Sequence, residues 1–243
     1  MDSMSPNDSD RLSISIVGPS RGHARDASGC MSILAHGGWH VMPEERDLPS
    51  AYYRALEAGM GIVVPVRDHD GRLVIACGPA SDDSPTLDEF LAERPIWPGQ
   101  PSVMAIRVCA DGLSRLLHRA LLKTDGIVPY LFGMSVTDMP GYMDGQIPIF
   151  VRQSEHERQP AFYEFAEGVW LDAFERDWYD ARLVLQHLRA GKHVAVVSPE
   201  LHDRSHMELW KRLKTLHDEL GDLSSRLQLC TARPQDARAF FGV

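Results

Sequence analysis

His36 ends a short apolar run and is followed at once by Gly37 and Gly38, which puts an imidazole where extended chain gives way to a tight turn. Imidazole changes charge near neutral pH and is the side chain most often used as a general acid or base. Arg67, Arg107 and Arg152 sit at or near the ends of other short apolar runs. A guanidinium can hold a carboxylate or phosphate through paired hydrogen bonds without a metal. Glu155, Asp172, Glu200 and His202 follow later runs of the same kind, with Trp170 beside them, and they add carboxylates, a second imidazole and an aromatic face. Two thiols, Cys77 and Cys109, complete the set. A thiolate activated by an imidazole is a nucleophile, two cysteines and a histidine make three zinc ligands, and small, weakly polar cysteines also serve as packing or as redox sensors. These readings of the thiols stay open.

Such groups act together only if the elements that carry them converge. From Ser32 onward, short apolar runs bounded by turn residues recur with helical segments between them, the pattern of a parallel α/β sheet. Eight candidate strands are read at 32–36, 61–67, 104–108, 128–133, 147–151, 168–172, 193–198 and 226–231. Eight is the closed-barrel number, so a (β/α)8 TIM barrel is expected. A ninth run at 72–76 lies beyond an Asp-His-Asp-Gly turn and is read as a hairpin on the second strand. Helices are expected at 49–58, stopped by Gly59, after Thr86 with Glu89 as a capping box, and at 178–190, stopped by Gly191. Leu209, Leu213, Leu216 and Leu220 form one apolar face before Gly221, and a last helix closes the chain.

A chain of 243 residues fits one such domain, read as 31–243 with an N-terminal extension at 1–30 in which 12–17 alternates like a short strand. A net charge of −9 argues against a general nucleic-acid binder, because no dominant basic surface is present to follow phosphates. Local anion sites are compatible with it, and a small anionic molecule is the expected partner. The four cysteines are widely spaced with no C-x-x-C, which signals neither a zinc ribbon nor a disulfide framework. No apolar run approaches the roughly 20 residues of a membrane span, and the acidic start lacks a basic-then-apolar leader. A cytoplasmic location is expected, and nothing fixes an oligomeric state.

From Met31 to about residue 241 the chain resembles the glycerophosphodiester phosphodiesterases of the phospholipase C-like superfamily, carried by ILAHGGW, PEERDLPSAYYRALEAGMGIVVPVRDHDGRLVIACGP and FGMSVTDM. The family pattern reads His-Arg-Gly, Glu-x-Asp and His-Asp; the matching residues here are His36-Gly37-Gly38, Val63-x-Pro65 and Cys77-Gly78. Arg107 and Cys109 stand at a conserved Asn and Lys, and Gly133 at a metal-binding acid. The resemblance implies a divalent cation held by carboxylates, with two histidines as acid and base. Only His36 survives of that set, and Val63, Pro65 and Gly133 carry no side-chain oxygen for a hard cation. A catalytically degenerate barrel is therefore expected, with no metal and no cofactor.

If the family's Glu-x-Asp faces the barrel mouth, strand alternation turns Arg67, Arg107 and Cys109 the same way. Arg107 then either takes over the metal's role of holding an anion or pairs with a local carboxylate. The segments VRQSEHE, GVWLDAFERDW and VVSPELHDR put Arg152, Glu155, Trp170, Asp172, Glu200 and His202 at the carboxyl ends of strands, the functional face of such barrels. They are read as ligand-binding groups or as a hydrogen-bonded rim that orders the loops. Two functions follow. One is a pseudoenzyme holding a small phosphate- or carboxylate-bearing ligand. The other is a metal-independent lyase, cyclase or transferase of a biosynthetic pathway, using His36 with Cys77, Glu155 or Glu200.

Overall fold

Runs rich in Val, Ile, Leu and aromatic residues form the strands β1 (Ser32–His36), β2 (Gly61–His69), β3 (Arg72–Ile75), β4 (Ser102–Val108), β5 (Ile127–Phe132), β6 (Ile149–Gln153), β7 (Gly168–Leu171), β8 (His193–Val197) and β9 (Leu227–Thr231). The computed structural model describes residues 30–94, 101–122, 124–143 and 145–243; nearly all of the expected extension, including its strand at 12–17, lies outside them. β1 pairs in parallel with both β2 and β9, and all the remaining neighbours except β3 are parallel, so β1, β2 and β4 to β9 close an eight-stranded barrel. The eight strands read from the sequence are those observed, with ends displaced by at most two residues. β6, the fifth of those eight, starts at Ile149 rather than 147, because Pro148 has no N–H for the ladder and only its carbonyl is used, by Leu131.

β2 outruns β1. Their pairing ends at His36 opposite Val63, and β3 takes over antiparallel from Val66 opposite Ile75. The turn between them uses Asp70 and Gly71 at φ 49° and 75°, the left-handed pair that matches the twist of a two-residue hairpin.

Alternation along each strand splits the apolar residues into two cores. Ile62, Val64, Met104 and Ile106 face outward, packed with Tyr52, Leu117 and Trp210 of the helices. Leu34, Val63, Ala105, Tyr130, Phe132, Phe150 and Trp170 fill the barrel itself. Tyr130 stacks on Phe150, and Phe132 on Trp170, each pair with centroids 3.8 Å apart. Gly168 makes that possible, since a Cβ there would stand 2.5 Å from the Phe150 ring.

The helices are α1 (Pro49–Glu57), α2 (Leu87–Glu93), α3 (Ser114–Leu121), α4 (Pro140–Met143), α5 (Ala181–Arg189), α6 (Met207–Leu220) and α7 (Pro234–Phe241). The expected capping box is present at α2: the Glu89 amide donates to Thr86 Oγ1 at 3.2 Å, and that hydroxyl donates to the Glu89 carboxylate at 2.6 Å. α5 begins at Ala181, not at 178. The Asp180 carboxylate accepts from the amides of Arg182 and Leu183, fixing the start, and the Trp178 indole instead donates to the Asp172 carbonyl at 2.7 Å. Among the described residues no helix is long and apolar enough to cross a membrane.

Candidate functional site

At the carboxyl ends of the strands a cavity of about 720 Å³ opens above the stacked aromatics, with Phe132, Trp170 and Val197 among its lining. Its wall carries His36, Arg46, Arg107, Arg152, Asp172 and His202.

The two glycines after His36 explain how the first of these groups meet. Gly37 and Gly38 have φ of 72° and 78°, a region that side-chain-bearing residues rarely adopt. A Cβ on Gly38 would lie 2.6 Å from the Ala51 backbone, and one on Gly37 would lie 2.6 Å from Arg46 Cγ. Arg46 therefore lies over the bare backbone of Gly37, and its Nη2 reaches His36 Nδ1 at 3.0 Å. A guanidinium only donates, so Nδ1 accepts and the neutral imidazole keeps its proton on Nε2. Burial, followed by the charge of Arg46, lowers the His36 pKa to about 4. His36 is thus a neutral hydrogen-bond donor at physiological pH. Glu45 orders the loop behind it, accepting from the Val41 amide at 2.9 Å and pairing with Arg54 at 3.0 Å.

Arg107 continues the inward row that includes Ala105. Its stem lies against Gly133, where an added Cβ would meet Arg107 Cγ at 3.3 Å. The residue borders both the main cavity and an adjoining cleft of about 310 Å³ that Cys77 and Cys109 line. Arg107 Nη1 donates to Cys77 Sγ at 3.5 Å, and Cys109 Sγ donates to the Arg107 carbonyl at 3.5 Å. Burial, then the neighbouring Cys77, pushes the Cys109 thiol up to about 11. Cys77 is exposed. Among the described residues no carboxylate stands within ion-pair distance of Arg107.

Asp172 and His202 form a second pair, Oδ1 to Nε2 at 2.7 Å, and the same carboxylate oxygen accepts from the Ala173 amide at 2.8 Å. Burial raises the Asp172 pKa, while His202 pulls it the other way. The carboxylate orients the imidazole as a positioning group does in acid–base sites. Arg152 is half-exposed and meets Glu157 at 3.5 Å.

Six of the residues read from the sequence, namely His36, Arg107, Arg152, Trp170, Asp172 and His202, thus line one cavity, with Cys77 and Cys109 in the adjoining cleft. Arg67, Glu155 and Glu200 line neither. Arg67 donates to the Gly78 carbonyl at 2.5 Å and so ties the hairpin. Glu155 accepts from the Glu175 amide at 2.7 Å. Glu200 accepts from the hydroxyls of Ser198 and Thr231 and from the Ala232 amide. These two carboxylates order loops. Ser198 is buried and also accepts from the Trp210 indole at 2.8 Å, so its hydroxyl is not a nucleophile presented to the cavity. Arg46, Val136, His156 and Phe174 were not singled out from the sequence. Arg46 sits in a charged loop like any solvated residue, and the paired positive φ of Gly37 and Gly38, with the Glu45–Arg54 pair ordering the loop, brings it to His36.

By its closed parallel sheet and the cavity at the carboxyl ends of the strands, the chain is a (β/α)8 barrel. It is similar to a structure described as a glycerophosphodiester phosphodiesterase from Galdieria sulphuraria, with a TM-score of 0.65 at 15% identity over 88% of this chain and 98% of the other. It is also similar to the Agrobacterium tumefaciens glycerophosphodiester phosphodiesterase, with a TM-score of 0.59 at 15% identity over 88% and 100% of the two chains. An Oleispira antarctica phosphodiesterase in complex with the product sn-glycerol-3-phosphate gives a TM-score of 0.60 at 12% identity over 89% and 98%. At these identities the likeness is one of fold. No family model and no curated protein matches the sequence.

The residues that the sequence resemblance aligns with metal-binding positions do not fit a hard cation, which needs several oxygen ligands. Val63 is 2% exposed and packs in the barrel interior, and Gly133 lies against Arg107. Among the described residues the one group of acidic and imidazole side chains close enough to share an ion is His69, Asp70 and Asp82, on and beside the β2–β3 hairpin rather than among the groups lining the cavity.

Proposed function

We propose that this chain is a degenerate glycerophosphodiester phosphodiesterase-like barrel that holds a small phosphate- or carboxylate-bearing molecule in the cavity and does not carry out metal-dependent phosphodiester cleavage. The observation that carries the reading is the charge balance of the wall. Three arginines face two carboxylates, and each carboxylate already has a partner: Asp172 has His202 and Glu157 has Arg152. Arg107, which has no carboxylate partner among the described residues, is left to meet an incoming anion; Arg46, half-exposed and 3.7 Å from Asp47, adds a second guanidinium beside the Nε2–H of neutral His36. Phosphate of the size bound by the Oleispira phosphodiesterase suits a cavity of about 720 Å³. Four cysteines that form no disulfide fit a reducing, cytoplasmic setting.

Calorimetry with inorganic phosphate and with sn-glycerol-3-phosphate, each with and without a chelator, tests this. Saturable binding unaffected by the chelator is expected. Absence of binding by both at millimolar concentration overturns the anion site.

One observation supports a second reading as a metal-independent enzyme: the His202–Asp172 pair and neutral His36 line the same cavity. In that reading His202 and His36 move the protons, because Glu155 Oε1 and both oxygens of Glu200 hold loops outside the cavity lining and Cys77 lies in the adjoining cleft. Turnover that survives a chelator and disappears in His202→Gln would select it.

A further inference from the structure

Two apolar side chains break the polar lining of the cavity. Val136, on the loop after β5, is 48% exposed, and Phe174, on the loop after β7, is 42% exposed. Exposed apolar residues scattered singly over a surface are ordinary. These two belong to the same cavity as Arg46 and Arg107, above the Phe132–Trp170 stack. Phe174 is also held rather than loose. Its ring packs against His202 at 4.7 Å and His156 at 5.8 Å. Its loop is clamped on both sides, by Glu155 on the Glu175 amide, by Arg204 on the Ala173 carbonyl at 2.8 Å, and by Arg204 and Arg212 on Asp177. A fold that fixes a half-exposed aromatic ring beside a cationic wall keeps apolar surface in water, and a ligand covering that surface recovers its free energy.

We propose that the ligand of this cavity is amphiphilic: an anionic head on Arg46 and Arg107, and an apolar alkyl or aryl substituent covering Phe174 and Val136. This rests on the anion site proposed above and adds the chemical class of the substituent. A polyhydroxylated substituent such as glycerol would leave Phe174 and Val136 without an apolar partner and is not the preferred occupant. Each methylene buried is worth about a fourfold gain in affinity when fully covered. Partial cover over two half-exposed side chains gives roughly tenfold along a short series.

The test is a calorimetric series of inorganic phosphate, methyl, butyl, hexyl and phenyl phosphate on the wild type, Phe174→Ser and Val136→Ser. Hexyl and phenyl phosphate are expected to bind at least about tenfold tighter than methyl phosphate, with that ratio falling toward one in both variants. Failure of inorganic phosphate, sn-glycerol-3-phosphate and every ester of the series to bind at millimolar concentration overturns both proposals together. Phosphate binding with a flat series overturns the apolar subsite and leaves the anion site standing. A rising series that both variants retain also overturns it, since the apolar contact then lies elsewhere. Where the series rises and the variants flatten it, sedimentation with phosphatidic acid vesicles, lost in Phe174→Ser, assigns the source as a lipid; no sedimentation assigns a free small molecule.

Discussion

Removing the guanidinium of Arg107 is the sharpest perturbation of the anion site. Among the described residues Arg107 makes one weak side-chain hydrogen bond, to a thiol at 3.5 Å, and no ion pair. Most of its donors are therefore free for a ligand, and little of the native structure depends on them. A hydrogen bond to a charged partner contributes about 1.5–3 kcal/mol, or roughly 10- to 150-fold in affinity. Because Arg107 is exposed to solvent, the effect belongs near the lower end, and it grows as salt is reduced because screening weakens. Arg107→Ala should weaken sn-glycerol-3-phosphate by about tenfold near physiological ionic strength, and Arg107→Lys by less, since the charge remains while the paired donor fork is lost. Folding stability should move by no more than about 0.5 kcal/mol, as for other exposed substitutions. Calorimetry at two salt concentrations and a thermal melt of each variant supply the numbers. Equal affinity in wild type and Arg107→Ala, with both melts unchanged, refutes the argument that a guanidinium has taken over the work of a cation.

Addition of magnesium or calcium should not stimulate hydrolysis of glycerophosphodiesters, and a chelator should not change the thermal melt; metal-stimulated release of glycerol 3-phosphate is the contrary result. Cys77 should be alkylated by iodoacetamide at mildly alkaline pH before Cys109 and Cys230, because Cys230 is buried and Cys109 is pushed up to about 11, and peptide mapping over time should show that order. His36 is lowered to about 4 when folded and is near 6.5 when unfolded, so between those values the unfolded chain binds the extra proton and stability falls as pH drops. That contribution amounts to roughly 3 kcal/mol across the window, and denaturant titrations at pH 7 and pH 4.5 should show a smaller loss on acidification in His36→Gln than in the wild type.

The barrel was legible because its strands obey a short local rule. Alternation over five or six residues, bounded by Gly, Pro or Asn/Asp turns, sets each strand and sorts its side chains into two rows, and the resemblance, through its Glu-x-Asp, indicated which row faces the barrel mouth, so the inward placement of Arg107 was legible. Loop geometry follows no such rule. Arg46 lies ten residues from the histidine it touches, and its position depends on two left-handed glycines and on the Glu45–Arg54 pair, none of which has a period. Glu155 and Glu200 show the opposite difficulty: residue type and strand-end position cannot say whether a carboxylate faces the cavity or closes a loop, because backbone amides at strand ends need acceptors in either case. Phe174 reads as one more apolar residue until the clamped loop places it beside the arginines.

The contact between Gly37 and Arg46 bears on how such a barrel can change over time. With a Cβ at position 37 standing 2.6 Å from Arg46 Cγ, a larger residue at 37 and the present pose of Arg46 exclude one another. A lineage that exchanges one arrangement for the other must pass through an intermediate with an unfilled position or a displaced arginine, and the order of substitutions matters: the arginine has to leave before the glycine can be replaced. Val63 adds a second lock, since a carboxylate placed there would enter the apolar barrel interior before any cation arrived to neutralise it. Exchanging either arrangement for its alternative would therefore need several coordinated substitutions, each unfavourable alone.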